Sequence, residues 1–350
     1  MTVKSNLQSE IKLVVWMVTY NHEAYIEQAI ESVMMQETDF KYQLLIGEDC
    51  STDGTRVICQ KLKAKYPAKI ELYLHENNRG ANSNGVFMYE KCFQSDAKYI
   101  ALCEGDDYWT DPLKLQKQVD FLEANEDFSM CGSLATRSYD NPAIPNDVEG
   151  EAGIFEQKDL ARRNFIPTAT VLFRSSCITD YPKWLLKSPI GDWPLFLICL
   201  NHGKIKIFEE QMALRRLHAG GIWGANINGL NNDKNILTLI SMFDVIRDKF
   251  NPDINGILND NYLKQLIKLI ELHLKNHRFD EVAQCLQVLL NEGRNISEES
   301  ENMSTAITKK LTLQEQEINN LKMLNKQLIN SNSYKLGRQI TGVFSFLKKK

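Results

Sequence analysis

Four short apolar runs, each followed by a polar loop and then by helical spacing, leave this chain few folds to choose from. Residues 13–19, 42–46, 70–74 and 99–103 have strand length and aliphatic or aromatic content. Between them Ile26, Ile30 and Val33 recur four and three apart, and Val57, Ile58 and Leu62 mark a second helix that Thr52 or Asp53 can cap. The spacing predicts a further helix over 84–93. After the fourth run, Asp111 and Pro112 form a helix start, and Leu115, Val119 and Leu122 continue it. Strands alternating with helices build βαβ units, and such units build a parallel sheet. All four strands then end at one edge, where an open α/β sheet binds its ligands.

The loops at that edge carry the chemistry. The first is Tyr20-Asn21-His22-Glu23, the second Gly47-Glu48-Asp49-Cys50-Ser51, the third His75-Glu76-Asn77-Asn78-Arg79-Gly80. The fourth, Glu104-Gly105-Asp106-Asp107, has three carboxylates within four residues. Clustered oxygen ligands suit a hard divalent cation, Mg²⁺ or Mn²⁺, which in turn suits a phosphorylated substrate. Each residue also has an ordinary role: acid-rich loops are often solvated turns, Asp49 can cap a helix, and Asn21 can make a turn. Placement on successive strand ends, so that Asn21, Asp49 and Asp106 meet in one crevice, favours the functional reading.

Composition bounds the rest. A chain of 350 residues, 43% hydrophobic and 25% charged, fits an ordinary soluble protein with more than one domain. Its net charge of −4 makes no global case for nucleic acid. Eight cysteines occur without a C-x-x-C pair, which favours reduced, packed thiols in a cytosolic setting. Residues 1–10 are polar without a signal-peptide core, and no stretch reaches membrane-spanning length.

Val15, Val18-Thr19-Tyr20-Asn21, the Glu48-Asp49-Cys50-Ser51-Thr52-Asp53-Gly54-Thr55 segment, Asn78-Arg79-Gly80 and Glu104-Gly105-Asp106-Asp107 together resemble the nucleotide-sugar-binding half of family 2 glycosyltransferases. The resemblance runs over about residues 11–225. It implies a GT-A fold, with a mostly parallel sheet and flanking helices, and a nucleotide-sugar donor. It implies that Asp49 bonds the base, usually uracil, that residues 19–21 wrap the nucleoside, and that Glu104 approaches the ribose. Asp106 matches the ligand holding Mn²⁺ or Mg²⁺ on the diphosphate. Thr19, Tyr20, Asn21, Glu23, Asp49, Arg79, Glu104 and Arg216 form the expected donor-binding set. The chain departs from the common pattern at Glu48 and Glu104, where aspartate is usual.

Further along, residues 130–132 read as a strand end, 141–153 as a loop over the acceptor, and 167–174 as a strand. Gly191-Asp192-Trp193-Pro194 opens a helix that Asp192 can cap. Sugar transfer also needs a base to take the acceptor proton, and Asp192 matches the family's base. Strand-like runs at 204–208 and 212–214 lead to Arg215-Arg216-Leu217-His218. Arginines suit phosphate, and by resemblance His218 completes the metal site or touches the diphosphate. Trp223 suits either sugar stacking or packing.

The C-terminal third changes character. The expected domains are a catalytic domain over 1–225, a helical domain over 226–295 and, over 296–350, a coiled-coil helix with a basic amphipathic tail. Ile307, Leu311, Ile318, Leu321 and Leu328 fall at heptad positions, with Gln314 and Asn325 as polar exceptions, so the segment reads as a coiled coil that forms a homodimer through 304–328 or as a single solvated helix. The tail, with Lys348-Lys349-Lys350, reads equally as a membrane-surface helix or as a disordered solubilising segment. The resulting expectation is an inverting, cytoplasmic glycosyltransferase, peripheral at the inner face of the membrane if the tail binds there. It would act on a glycan or lipid-linked glycan acceptor. The rivals are a nucleotidylyltransferase that makes nucleotide sugars and a non-catalytic glycan-binding scaffold.

Overall fold

In the computed structural model the described residues are 11–178, 181–218, 220–221 and 232–276, with residue 278 and scattered helical positions between 281 and 327. The first half follows the alternation in the sequence: β1 (Leu13–Thr19), α1 (Ile26–Met34), β2 (Tyr42–Glu48), α2 (Thr55–Lys65), β3 (Ile70–Leu74), α3 (Ala81–Gln94) and β4 (Tyr99–Leu102). β1 pairs in parallel with β2 and with β4, and β2 in parallel with β3. Leu13, Val15 and Met17 of β1 share one cluster with Ile26, Ile30 and Val33 of α1. Trp16 points to the opposite face, as strand alternation requires, and stacks on Tyr89 of α3 at 5.0 Å.

Next come β5 (Tyr108–Trp109), α4 (Lys114–Ala124), β6 (Phe128–Tyr139), β7 (Asp147–Glu149), β8 (Gly153–Phe155), α5 (Gln157–Arg162), β9 (Leu172–Arg174), α6 (Asp192–Leu200) and β10 (Lys204–Leu217). The sheet order is β3-β2-β1-β4-β9-β6-β10-β5. β9 runs antiparallel to β4 and β6, and β5 antiparallel to β10. The short β5 pairing therefore brings the end of β10 beside the acidic loop.

Several expectations need correction here. Residues 130–132 lie inside β6 and do not end a strand. The segment 141–153 carries β7 and the start of β8, which hold it to β6 and β10. Residues 167–174 begin as a 3-10 turn, Thr168–Thr170, and only then extend. The runs at 204–208 and 212–214 are one strand. Its register with β6 shifts between Phe208 and Ala213, where Glu209, Glu210 and Gln211 are exposed and interrupt the apolar pattern.

Two helices follow, α7 (Asn232–Ile246) and α8 (Pro252–Lys275). Phe243 of α7 sits edge-on to Trp193 of α6, with centroids 5.3 Å apart. Asn261 of α8 donates to the carbonyls of Ala161 (2.6 Å) and Arg162 (3.0 Å) at the end of α5. Residues Met1–Cys285 form one unit and Leu286–Lys350 another. In the second unit the described stretch 320–324 is helical, with Leu321, Met323 and Leu324 exposed. Trp223, most of the linker at 225–233, the heptad positions Ile307, Leu311, Ile318 and Leu328, and the basic tail lie outside the described residues. Among the described residues no helix is long and apolar enough to cross a membrane.

Candidate active site

The first two loops are stitched together by their own polar groups. Asn21 takes the left-handed conformation (φ 55°), which asparagine tolerates better than most residues. Its Oδ1 accepts from the Thr52 N–H (2.8 Å), and its own N–H donates to Ser51 Oγ (3.0 Å). Glu23 Oε2 accepts from the Gly54 N–H at 3.0 Å. Tyr20 stands exposed beside them. Glu48 is fully buried, and its carboxylate takes the Ser51 N–H and the Arg56 guanidinium.

Asp49 ties the second loop to the third. Its Oδ1 accepts from the Arg79 N–H (2.8 Å) and its Oδ2 from the Gly80 N–H (2.9 Å). Gly80 has φ 82°, so the turn needs glycine there. Arg79 contributes its backbone, while its guanidinium lies over the Phe87 ring at 4.8 Å. Asp49→Ala would orphan the Arg79 N–H and leave the Gly80 N–H only its second acceptor, Asn78 Oδ1 at 2.9 Å. It is expected to lower unfolding free energy by about 3 kcal/mol in urea titrations, the loss of two bonds to a charged group. An unchanged midpoint would remove Asp49 as a strut between the loops.

The acidic loop turns its three carboxylates in different directions. Gly105 passes over the end of β1 so closely that a Cβ there would lie 2.8 Å from the Thr19 side chain. Asp106 Oδ2 accepts from His218 Nε2 at 3.0 Å and lies 3.8 Å from His22 Nε2. Asp107 turns inward, and its Oδ1 accepts from the Arg216 N–H (2.8 Å). The Arg216 guanidinium donates to the Asp106 carbonyl and to Gln28, between the rings of Tyr25 (5.0 Å) and Tyr108 (4.6 Å). The residue expected at the diphosphate thus also clasps β10 to the acidic loop.

Asp192 opens α6. Its Oδ2 accepts from Thr168 Oγ1 (2.6 Å), and its Oδ1 from the Trp193 N–H (2.7 Å). Trp193 Nε1 and Gln157 Nε2 bond across α5 and α6, to the carbonyls of Leu160 and Leu197. The helix that carries Asp192 is therefore pinned by α5, by α7 and, through α5, by α8. On the neighbouring strands Arg215 donates to Glu149, whose Oε2 is buried with no hydrogen-bond partner.

Electrostatics bind these groups into one site. Burial, followed by the charges of Asp106 and Asp192, pushes the Glu104 carboxyl up to about 8, against the pull of Arg215. Burial pushes Asp107 well above the usual range, with Asp106 and Glu104 adding to it. Burial also pushes Asp106 up, but the His218 hydrogen bond and the charges of His22 and His218 outweigh it and hold Asp106 low. His218 is raised mainly by its bond to Asp106, whereas burial lowers His22.

Asp106 and His218, the expected metal ligands, come together. Sequence reasoning missed His22 as a third member. One ligand atom from each of His22, Asp106 and His218 lies within 4.8 Å of the others. One carboxylate and two imidazoles converging at this spacing fit a divalent cation. The signal was present, since His22 sits in the first strand-end loop. Glu149 and Thr168 were also missed as site neighbours, and no local pattern marks them, while Arg215, expected with Arg216 at phosphate, pairs with Glu149.

A family model, "Glycosyl transferase family 2", matches residues 14–178. The chain is 34% identical over 212 residues to Rv1520 of Mycobacterium tuberculosis, an uncharacterised protein, and spans 59% of each chain. It is 24% identical over 295 residues to the dTDP-rhamnosyl transferase RfbG of Shigella flexneri, covering 79% of this chain and 99% of RfbG. The fold is similar to that of S. aureus TarS 1–349 in complex with UDP-GlcNAc, with TM-score 0.60, 15% identity and 84% of both chains covered. The mostly parallel sheet with its loops gathered at one rim is thus a GT-A-like fold, and residues 14–178 within it match the glycosyl transferase family 2 model.

Proposed function

We propose that this protein moves a sugar from a nucleotide diphosphate sugar, UDP-linked, to a hydroxyl of a surface glycan or polysaccharide, with inversion. The observation that carries the reading is that ligand atoms of His22, Asp106 and His218 lie within 4.8 Å of one another beside the acidic loop, where the charges of Asp106 and Asp192 both act on Glu104. RfbG by its name transfers rhamnose, and TarS is solved with UDP-GlcNAc, which supports a nucleotide-sugar donor. Asp106 and His218 would hold Mn²⁺ or Mg²⁺, which when bound screens the diphosphate charge and stabilises it as a leaving group. Asp192, oriented by Thr168 and the Trp193 N–H, takes the acceptor proton on a lone pair that these bonds leave free. The hydroxyl then attacks the anomeric carbon from the face opposite the diphosphate.

The test is a thermal-shift screen of nucleotide sugars with and without Mn²⁺, followed by transfer assays. UDP-sugars are expected to raise the melting temperature only with metal, and Asp106→Ala to abolish the rise. A rise of equal size in chelator would remove the assigned cation site. Pyrophosphate release from a sugar phosphate and a nucleoside triphosphate would instead make the protein a nucleotidylyltransferase.

A further inference from the structure

Resting on the sugar-transfer reading, we infer that His22 is a third cation ligand, oriented by Thr19, and that this nitrogen-rich set selects Mn²⁺ or another first-row transition ion against Mg²⁺. His22 Nε2 lies 3.8 Å from Asp106 Oδ2, beyond hydrogen-bond range yet within reach of a shared ion. Its other ring nitrogen, Nδ1, lies 3.3 Å from Thr19 Oγ1. With Nδ1–H donated to that hydroxyl, the Nε2 lone pair faces Asp106. A ligating histidine is commonly held this way by its second nitrogen. Thr19 is almost fully buried and packed beneath Gly105, so its hydroxyl has little freedom to turn elsewhere. The His22 backbone is fixed as well, its N–H donating to Thr55 Oγ1 at 2.8 Å.

Ligand chemistry sets the preference. Mg²⁺ favours oxygen donors and keeps several waters, whereas imidazole suits transition ions. A site built from Asp106 alone would leave Mg²⁺ competitive. Two imidazoles beside it penalise Mg²⁺. Thr19, expected from the sequence at the nucleoside, becomes a positioning residue for the metal site.

The experiment measures metal binding by the full chain without turnover. Bound Mn²⁺ is followed by loss of the free-ion EPR signal, with Mg²⁺ as competitor. Wild type is expected to retain Mn²⁺ under roughly a hundredfold excess of Mg²⁺. His22→Gln should weaken Mn²⁺ binding about tenfold or more and let Mg²⁺ displace it. Thr19→Val should weaken it about tenfold, and Thr19→Ser should restore it. Melting temperatures in chelator report whether each variant is folded. If His22→Gln fails to fold, His22→Asp, which replaces nitrogen by oxygen, should shift the preference toward Mg²⁺. Displacement of Mn²⁺ from wild type by equimolar Mg²⁺ overturns the inference. Loss of Mn²⁺ from Asp106→Ala with none from His22→Gln also overturns it, and leaves the sugar-transfer reading standing.

Discussion

Asp192→Asn is expected to lower sugar transfer about 10³-fold while donor binding stays unchanged. The substitution keeps size and shape, and the amide oxygen can still accept from Thr168 Oγ1, now 2.6 Å from the carboxylate. What it removes is the lone pair basic enough to receive the acceptor proton, together with the acceptor for the Trp193 N–H at 2.7 Å. No neighbour is well placed to take over. Burial, followed by the Asp106 charge, still pushes the Glu104 carboxyl up once the Asp192 charge is gone, which disfavours its charged form. Burial pushes Asp107 well above the usual carboxylate range, and its Oδ1 accepts from the Arg216 N–H. Asp106 faces the two histidines. Transfer kinetics over a range of acceptor concentrations, with donor affinity from calorimetry, separate the two effects. A drop in kcat at constant donor affinity fits a base. Wild-type transfer by Asp192→Asn would return Asp192 to its helix-start role and place the base elsewhere.

The parallel half of the sheet was legible because each strand is a short apolar run and each helix repeats at its own period. Tertiary pairing adds little to residues 13–19 or 70–74. The second half was not legible for the same reason in reverse. β10 carries two exposed glutamates at its irregularity, and β7 reads as loop because Asp147, Val148 and Glu149 are only three residues beside two glycines. Their strand character comes from β6. The candidate site shows the same division. Motif order along the chain brought Asp49, Glu104, Asp106, Asp192 and His218 into consideration. How each group is used depends on partners far away in sequence: Asp49 on the backbone of 79–80, Arg216 on Gln28 and two tyrosines, His22 on Asp106. No local pattern encodes those partners. The helical pair α7–α8 shows no chemistry in the sequence, yet by packing on α5 and α6 it helps fix the helix that begins at Asp192.

Lys114→Met is expected to stabilise the protein at neutral pH and to lose that advantage as the pH rises. Lys114 is fully buried, its ammonium donating to Gln118 Oε1 at 2.7 Å and lying 4.2 Å from the centre of the Trp109 ring. Neither partner is an anion, so burial lowers its pKa from 10.5 to about 7. In the unfolded chain the amine stays protonated up to its ordinary value. Between about 7 and 10.5 the unfolded state therefore binds more protons, and wild-type stability rises with pH across that window. The gap corresponds to about 5 kcal/mol, all of it lost from the wild type at and below neutral pH. Methionine fills a similar volume without a charge, but it orphans Gln118 Oε1, which costs about 1 kcal/mol. The variant should then be more stable by about 4 kcal/mol near pH 7, with the difference shrinking and changing sign as the pH approaches 10.5. Urea unfolding of both proteins at pH 7, 8 and 9 measures the slope. Parallel profiles would mean that the ammonium keeps its ordinary pKa in the fold, and that Gln118 and Trp109 together solvate it as well as water does.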